Sequence, residues 1–173
     1  MRYNISSVAK QPMRQGDYGV LAEFRYQIRR FLNFSEAAAR KAGIEPHQHQ
    51  ALLVLKGLPA FQIATVGVLA ERLQIRHHSA VELADRLESK GLIRRSRGHA
   101  DRREILLGLT LRGEKLLQEL TLSHRDELRM VGPNLVDSLE SIIARQRRGR
   151  ALNTVPPASD ASRRSRRNRK TDR

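Results

Sequence analysis

Five arginines crowd ten residues of this chain: Arg94, Arg95, Arg97, Arg102 and Arg103, with Asp101 the acid among them. Guanidinium groups set so close repel one another unless a polyanion neutralises them. Just upstream lie His77, His78, Ser79, Glu82 and Arg86. Ser and His can hydrogen-bond to bases or phosphates, Glu can accept from a cytosine amino group, and Arg can reach either a phosphate or a base. This set suits the reading of a nucleic acid better than bond breaking. A glycine-rich phosphate loop, a G-x-S-x-G elbow and a H-E-x-x-H pair are all missing from the sequence, so no enzyme is expected. The carboxylates mostly sit beside a cation, as in Glu71-Arg72 and Asp85-Arg86, and read as surface pairing. There is no cysteine, which excludes disulfides, thiol redox sensing and Cys-based zinc sites. His47-x-His49 has two residues pointing apart at a helix start, and a metal on His77-His78 would conflict with nucleic-acid contact. No metal and no cofactor are therefore expected.

The apolar pattern shows what must position these groups. Leu21, Phe24, Ile28, Phe31 and Leu32 recur at helical spacing over residues 18–42, a long helix that Gly43 ends. Pro46 fits the first turn of a second helix, with Ala51, Leu52, Leu55 and Leu58, that Pro59 closes. Thr65 is a plausible cap for a short helix over Val66–Leu73. A break at Gln74-Ile75-Arg76 leads into a further helix, His77–Lys90, ended by Gly91. Two short helices joined by so tight a turn make a helix-turn-helix, with Leu69, Ala70, Leu73, Ile75, Leu83 and Leu87 as its shared core. Leu92–Arg97, a polar tip at Gly98–Asp101, and the alternation of Ile105, Leu107 and Leu109 then give a hairpin, a β-wing. Thr110 can cap a helix over Leu111–Val131, which Gly132-Pro133 should break before a last helix carrying Leu135, Leu139, Ile142 and Ile143. The apolar stripes of these flanking helices need a cover, and a second copy of the chain is the economical one.

The balance of charge agrees. The chain has 173 residues, 33 Lys and Arg against 18 Asp and Glu, and a net charge of +15. Such a surplus favours nucleic acid first and an anionic membrane surface second. From Arg145 to Arg173, eleven basic residues face only Asp160 and Asp172, around Pro156-Pro157 and few large apolar groups. That segment cannot bury enough surface to offset its ordering entropy and reads as a disordered basic tail. It would act as an electrostatic tether or a solubilising extension. The expected division is an irregular arm over 1–16, a folded domain over 17–145 and the tail over 146–173. No apolar run could span a bilayer and no secretory leader begins the chain, so a cytoplasmic location is expected.

Asp101-x-Arg103 followed by Leu107-x-Leu109-Thr110-x-x-Gly113 resembles the wing signature of MarR-type (multiple antibiotic resistance) regulators. Leu69-Ala70-Glu71-Arg72-Leu73 and Asp85-Arg86-Leu87-Glu88-x-x-Gly91-Leu92-Ile93 resemble that family's helix-turn-helix, and the likeness covers about residues 18–145. Glu82 departs from it, standing where many relatives carry a basic residue. The resemblance implies a mainly α fold with a small β-wing: a winged helix-turn-helix flanked by long dimerisation helices. It implies a homodimer controlling transcription from double-stranded DNA, commonly as a repressor and often released by a small-molecule effector. It also implies that Arg103 braces the wing on an acid of the reading helix, here Asp85. The effector pocket would fall among Phe24, Ile28, Phe31, Ala51 and Leu55. The rival reading is a basic module that binds DNA or RNA without regard to sequence.

Overall fold

The computed structural model describes residues 14–98 and 104–153, with side chains described through Arg145. Of the arm expected over 1–16, residues 1–13 lie outside the described residues, as do 99–103 at the wing tip and the tail beyond 153, whereas Gln15 and Gly16 already belong to the first helix. Among the described residues, five helices and one two-stranded sheet follow in the order α1 (Gln15–Lys41), α2 (Pro46–Gly57), α3 (Val66–Leu73), α4 (His77–Ser89), β1 (Ile93–Arg97), β2 (Ile105–Leu109) and α5 (Leu111–Asn153). This is the mainly helical, winged architecture expected from the sequence.

Residues 25–135 form one compact unit. Its core gathers Leu52 and Leu55 of α2, Leu69 of α3, Leu83 and Leu87 of α4, Ile93 and Leu107 of the sheet, and Leu117 and Leu120 of α5. Leu73 and Ile75 pack at its edge. Of the shared core read from the helix-turn-helix pattern, Leu69, Leu83 and Leu87 lie in this core, Leu73 and Ile75 at its edge, and Ala70 is buried outside it.

Local chemistry sets the boundaries. Pro46 opens α2 behind a reciprocal cap between Glu45 and Gln48. Thr65 caps α3, its Oγ1 accepting from the Val68 N–H at 3.3 Å. Thr65→Ala should cost the protein about 1 kcal/mol, read as a lower urea midpoint at unchanged slope. Gln74 makes the turn after α3 in the left-handed region, at φ 54°. It is the single non-glycine residue there among the described residues. Gly91 ends α4 in the same region, at φ 67°, and the Leu92 N–H then donates back to the Leu87 carbonyl at 3.0 Å.

The wing is antiparallel, with Ile93 opposite Leu109, Arg95 opposite Leu107 and Arg97 opposite Ile105. A third rung extends it: Thr65 bridges to Leu106, and the Leu107 N–H donates to the Ala64 carbonyl at 2.8 Å. At the far end Thr110 caps α5. Its Oγ1 accepts from the Gly113 N–H at 3.1 Å and donates to the Gly91 carbonyl at 2.7 Å.

α5 corrects one expectation. It does not break at Gly132-Pro133 but runs unbroken from Leu111 to Asn153, with Pro133 inside. Proline removes one backbone N–H and so one bond, to the Arg129 carbonyl, while the other bonds of the helix remain. Gly132 has no Cβ to meet the proline ring, which lowers the cost of helical backbone before a proline. The helix also continues past 145, where the tail was expected to begin.

The second unit joins residues 1–24 to 136–173, of which 14–24 and 136–153 are described. In it the Arg14 N–H donates to Asp17 Oδ2 at 2.9 Å and Arg145 pairs with Asp17 at 3.3 Å. The backbone hydrogen bond first, and then Arg145, hold the Asp17 carboxyl below its ordinary pKa. Tyr18, Leu21, Val136, Leu139 and Ile143 stand exposed along this unit.

Candidate nucleic-acid interface

α4 has two faces. Ala80, Leu83, Ala84 and Leu87 are buried against the core. His77, His78, Glu82, Asp85 and Arg86 are exposed and Ser79 is half-buried. The helix starts without a side-chain cap at Arg76, which leaves its first N–H groups to an outside acceptor. Such a start, with its positive dipole end, suits a phosphate oxygen. Arg76 itself is exposed at this point. It was missed in the sequence because it sits in the turn rather than in the helix, although its place directly before the first helical residue was the available signal. Glu82 and Arg86 approach to 4.0 Å with both side chains mostly in water, a weak pair that leaves each free to meet another group.

The strand arginines divide by role. Arg94 and Arg97 are exposed. Arg95 is not, with its side chain only 25% accessible. Its guanidinium spans two carboxylates of α4, Asp85 at 2.6 Å and Glu88 at 2.7 Å, and its backbone N–H donates to Glu88 Oε1 at 3.0 Å. Burial works against the charge, but the hydrogen bonds and charges of Asp85 and Glu88 outweigh it and raise the Arg95 pKa. Wing and α4 are thereby tied by a fork of hydrogen bonds. Asp85 was expected to brace the wing through Arg103. Arg103, like Arg102, lies outside the described residues, and the partner seen on Asp85 is Arg95.

The residues expected to line an effector pocket are placed as follows. Ala51 and Leu55 are in the core, Ile28 and Phe31 are half-buried, and Phe24 belongs to the other compact unit. A cleft of about 300 Å³ lies elsewhere, between Gly43, Ile44, Lys90, Leu92, Arg112 and Lys115, and none of the five lines it. No group of three or more His, Asp or Glu among the described residues could hold a metal ion. No helix there is long and apolar enough to cross a membrane.

Two further histidines come together away from α4. His49 of α2 is buried, and its ring centroid lies 4.7 Å from that of His124 on α5. His124 Nε2 is 2.8 Å from Ser35 Oγ of α1, and its Nδ1 is 2.6 Å from the Leu120 carbonyl. Sequence spacing carries no sign of this pair, because the two residues meet only through the packing of three helices.

An exposed helix start, an exposed arginine strand and a fork between them fit a winged reading head, and comparison with known proteins agrees. Residues 42–104 match the MarR family. The MarR resemblance read from the sequence is borne out over that segment. The HTH-type transcriptional repressor MdtR of Bacillus subtilis is 38% identical over 80 residues, 46% of this chain and 50% of that repressor. The chain thus spans about half the length of the curated relative it matches. Among solved structures, the MarR regulator AbsC of Streptomyces coelicolor has a TM-score of 0.63 at 17% identity, over 83% of this chain and 98% of that one. A mutant of MepR from S. aureus, bound to an oligodeoxyribonucleotide, has a TM-score of 0.55 at 24% identity, over 80% and 98%. At these identities the likeness is one of MarR fold.

Proposed function

We propose that this chain is a dimeric, sequence-specific DNA-binding regulator of the MarR type, acting as a repressor. The observation that carries the reading is the uncapped, exposed start of α4 beside the exposed Arg94 and Arg97, within the MarR-matched segment. In this reading the start of α4 enters a major groove. His77, His78, Ser79, Glu82 and Arg86 face bases and phosphates there. Arg94 and Arg97, with Arg102 and Arg103 of the wing tip, contact phosphates or follow a narrow minor groove. The exposed apolar residues of the second unit, from Tyr18 to Ile143, supply the surface for a second copy. The DNA-bound MepR structure and the repressor name of MdtR support the same assignment. The function is one of binding, with no reaction assigned. A small effector would act by favouring a spacing of the two heads that fits the operator less well.

A binding-site selection with the purified full-length chain tests this. A regulator returns a two-fold-symmetric consensus with half-sites about 34–36 Å apart, preferred by roughly 10³-fold or more over unrelated DNA. Equal affinity for unrelated DNA and RNA would establish the rival basic module instead. On the selected site, the double variant Arg94→Ala, Arg97→Ala should bind about tenfold more weakly, with a salt slope lower by about 2. An unchanged slope would remove both residues from the interface.

A further inference from the structure

The histidine pair joins the three helices against which the reading head is built. His49 comes from α2, His124 from α5, and Ser35, Phe31 and Phe34 from α1. The Leu120 carbonyl can only accept, so Nδ1 of His124 carries the proton in that 2.6 Å bond. The Ser35 hydroxyl can turn to donate to a bare Nε2 or to accept from a protonated one. Phe31 and Phe34 stand edge-on to the His124 ring, at 5.9 and 5.5 Å between centroids. His49 is 4% exposed and its ring lies against that of His124, tilted by 39°, with no hydrogen bond to its imidazole among the described residues. A proton added to His49 would therefore place charge at a largely buried site beside a second imidazole, with no protein acceptor among the described residues.

Several charged groups on the same elements hold other partners. On α1 Glu36 pairs with Arg40, on α5 Asp126 pairs with Arg129, and Lys56 of α2 pairs with Glu114 of α5. His47, the nearest other imidazole in α2, is exposed. Burial first, and then the charge of His124, push the His49 pKa below its ordinary value of 6.5, and no carboxylate counters them.

We propose that His49 and His124 form an acid-sensitive clasp, closed while His49 is neutral, and that protonation of His49 loosens α2 from α1 and α5 and lowers affinity for DNA. The DNA half of this inference rests on the function proposed above, whereas the packing half does not. The sign follows from linkage. The unfolded chain takes up a proton at His49 near pH 6.5, while the folded chain resists until a lower pH. The clasp is thus without penalty above about pH 6.5. It becomes destabilising as the pH falls from there towards the lower pKa of the folded state.

The test compares the full chain with His49→Phe, a ring of similar size that cannot take a proton, and with His47→Gln as an exposed control. Thermal melts at pH 7.5 and 5.5 should show the wild type and His47→Gln losing roughly 3–6 °C more than His49→Phe. On the selected operator, the wild type should lose about tenfold more affinity than His49→Phe over the same interval. Exposed His77 and His78 are common to both proteins and cancel in that comparison. If His49→Phe does not fold, the imidazole NMR signals of the wild type decide, because His49 must titrate below 6.5 with a simultaneous change at His124. Parallel melts in wild type and His49→Phe, or a His49 that titrates at the ordinary value, overturn the clasp. Absence of any preferred DNA at either pH overturns the proposed function and leaves the melting difference standing. Specific binding with matching pH profiles in the two proteins overturns the DNA half of the clasp alone.

Discussion

Gly113→Ala should lower the melting temperature by roughly 5–10 °C, the largest effect expected of any single methyl group in the described structure. Alanine is ordinarily the better helix former by about 1 kcal/mol, so propensity alone would predict the opposite sign. Space decides. A Cβ on Gly113 would collide with the Leu92 carbonyl oxygen, a backbone atom that cannot swing aside as a side chain could. That oxygen already accepts from the Thr110 N–H at 3.0 Å and from Thr110 Oγ1 at 3.3 Å. Moving it disturbs the cap of α5 and the entry into β1 together. Overpacking of this kind costs about 1–3 kcal/mol, with the upper end expected where the obstacle is backbone. Gly67→Ala is the matched control, since its Cβ would meet Thr65 Oγ1 at an ordinary 3.7 Å. It should stay within about 1 kcal/mol of the wild type. A Gly113→Ala protein that melts within a degree of the wild type would show that the close approach of α5 to Leu92 does not exist.

Arg95→Lys should weaken operator binding by about tenfold while leaving the salt slope of binding unchanged. Lysine keeps the charge but presents one compact ammonium, which cannot span Asp85 and Glu88 as the guanidinium does. The freed carboxylate then faces its neighbour three residues away on α4, and like charges at that spacing repel. Stability should fall by only about 1 kcal/mol, because the carboxylates are partly in water. The larger loss is in positioning, since the wing and the reading helix no longer share a fixed angle. An arginine that instead neutralised a phosphate would behave oppositely: lysine would retain most of the affinity, and Arg95→Gln would reduce the salt slope by about 0.9. Adding Glu88→Gln to Arg95→Gln should restore part of the lost stability, and melting curves of the two proteins check this.

The helix-turn-helix was legible because its boundaries are local chemistry. Thr65, Pro46 and Gly91 each act on backbone groups within a few residues, so their types alone announce where an element starts or stops. The strands were legible from the alternation of Ile105, Leu107 and Leu109. The role of Arg95 was not, because alternation tells which face a side chain takes and nothing of what stands opposite. Asp85 was expected to brace the wing through Arg103, which lies outside the described residues; the pairing seen, with Arg95, is set by how β1 lies along α4. Proline was read as a helix breaker at 133, yet one lost hydrogen bond is small against the many that continue α5. His49 and His124 illustrate the hardest case, in which chemistry arises only when three distant segments pack.

The third rung of the sheet has a mechanical consequence. The hairpin's second strand is bonded to Ala64 and bridged to Thr65, the residue on which α3 begins. Strain applied to the arginine-bearing hairpin therefore travels by a backbone route into the first helix of the helix-turn-helix, without passing through the side chains of the core. Wing and helix pair should yield as one lever, and slow amide exchange at Leu107 would be its signature.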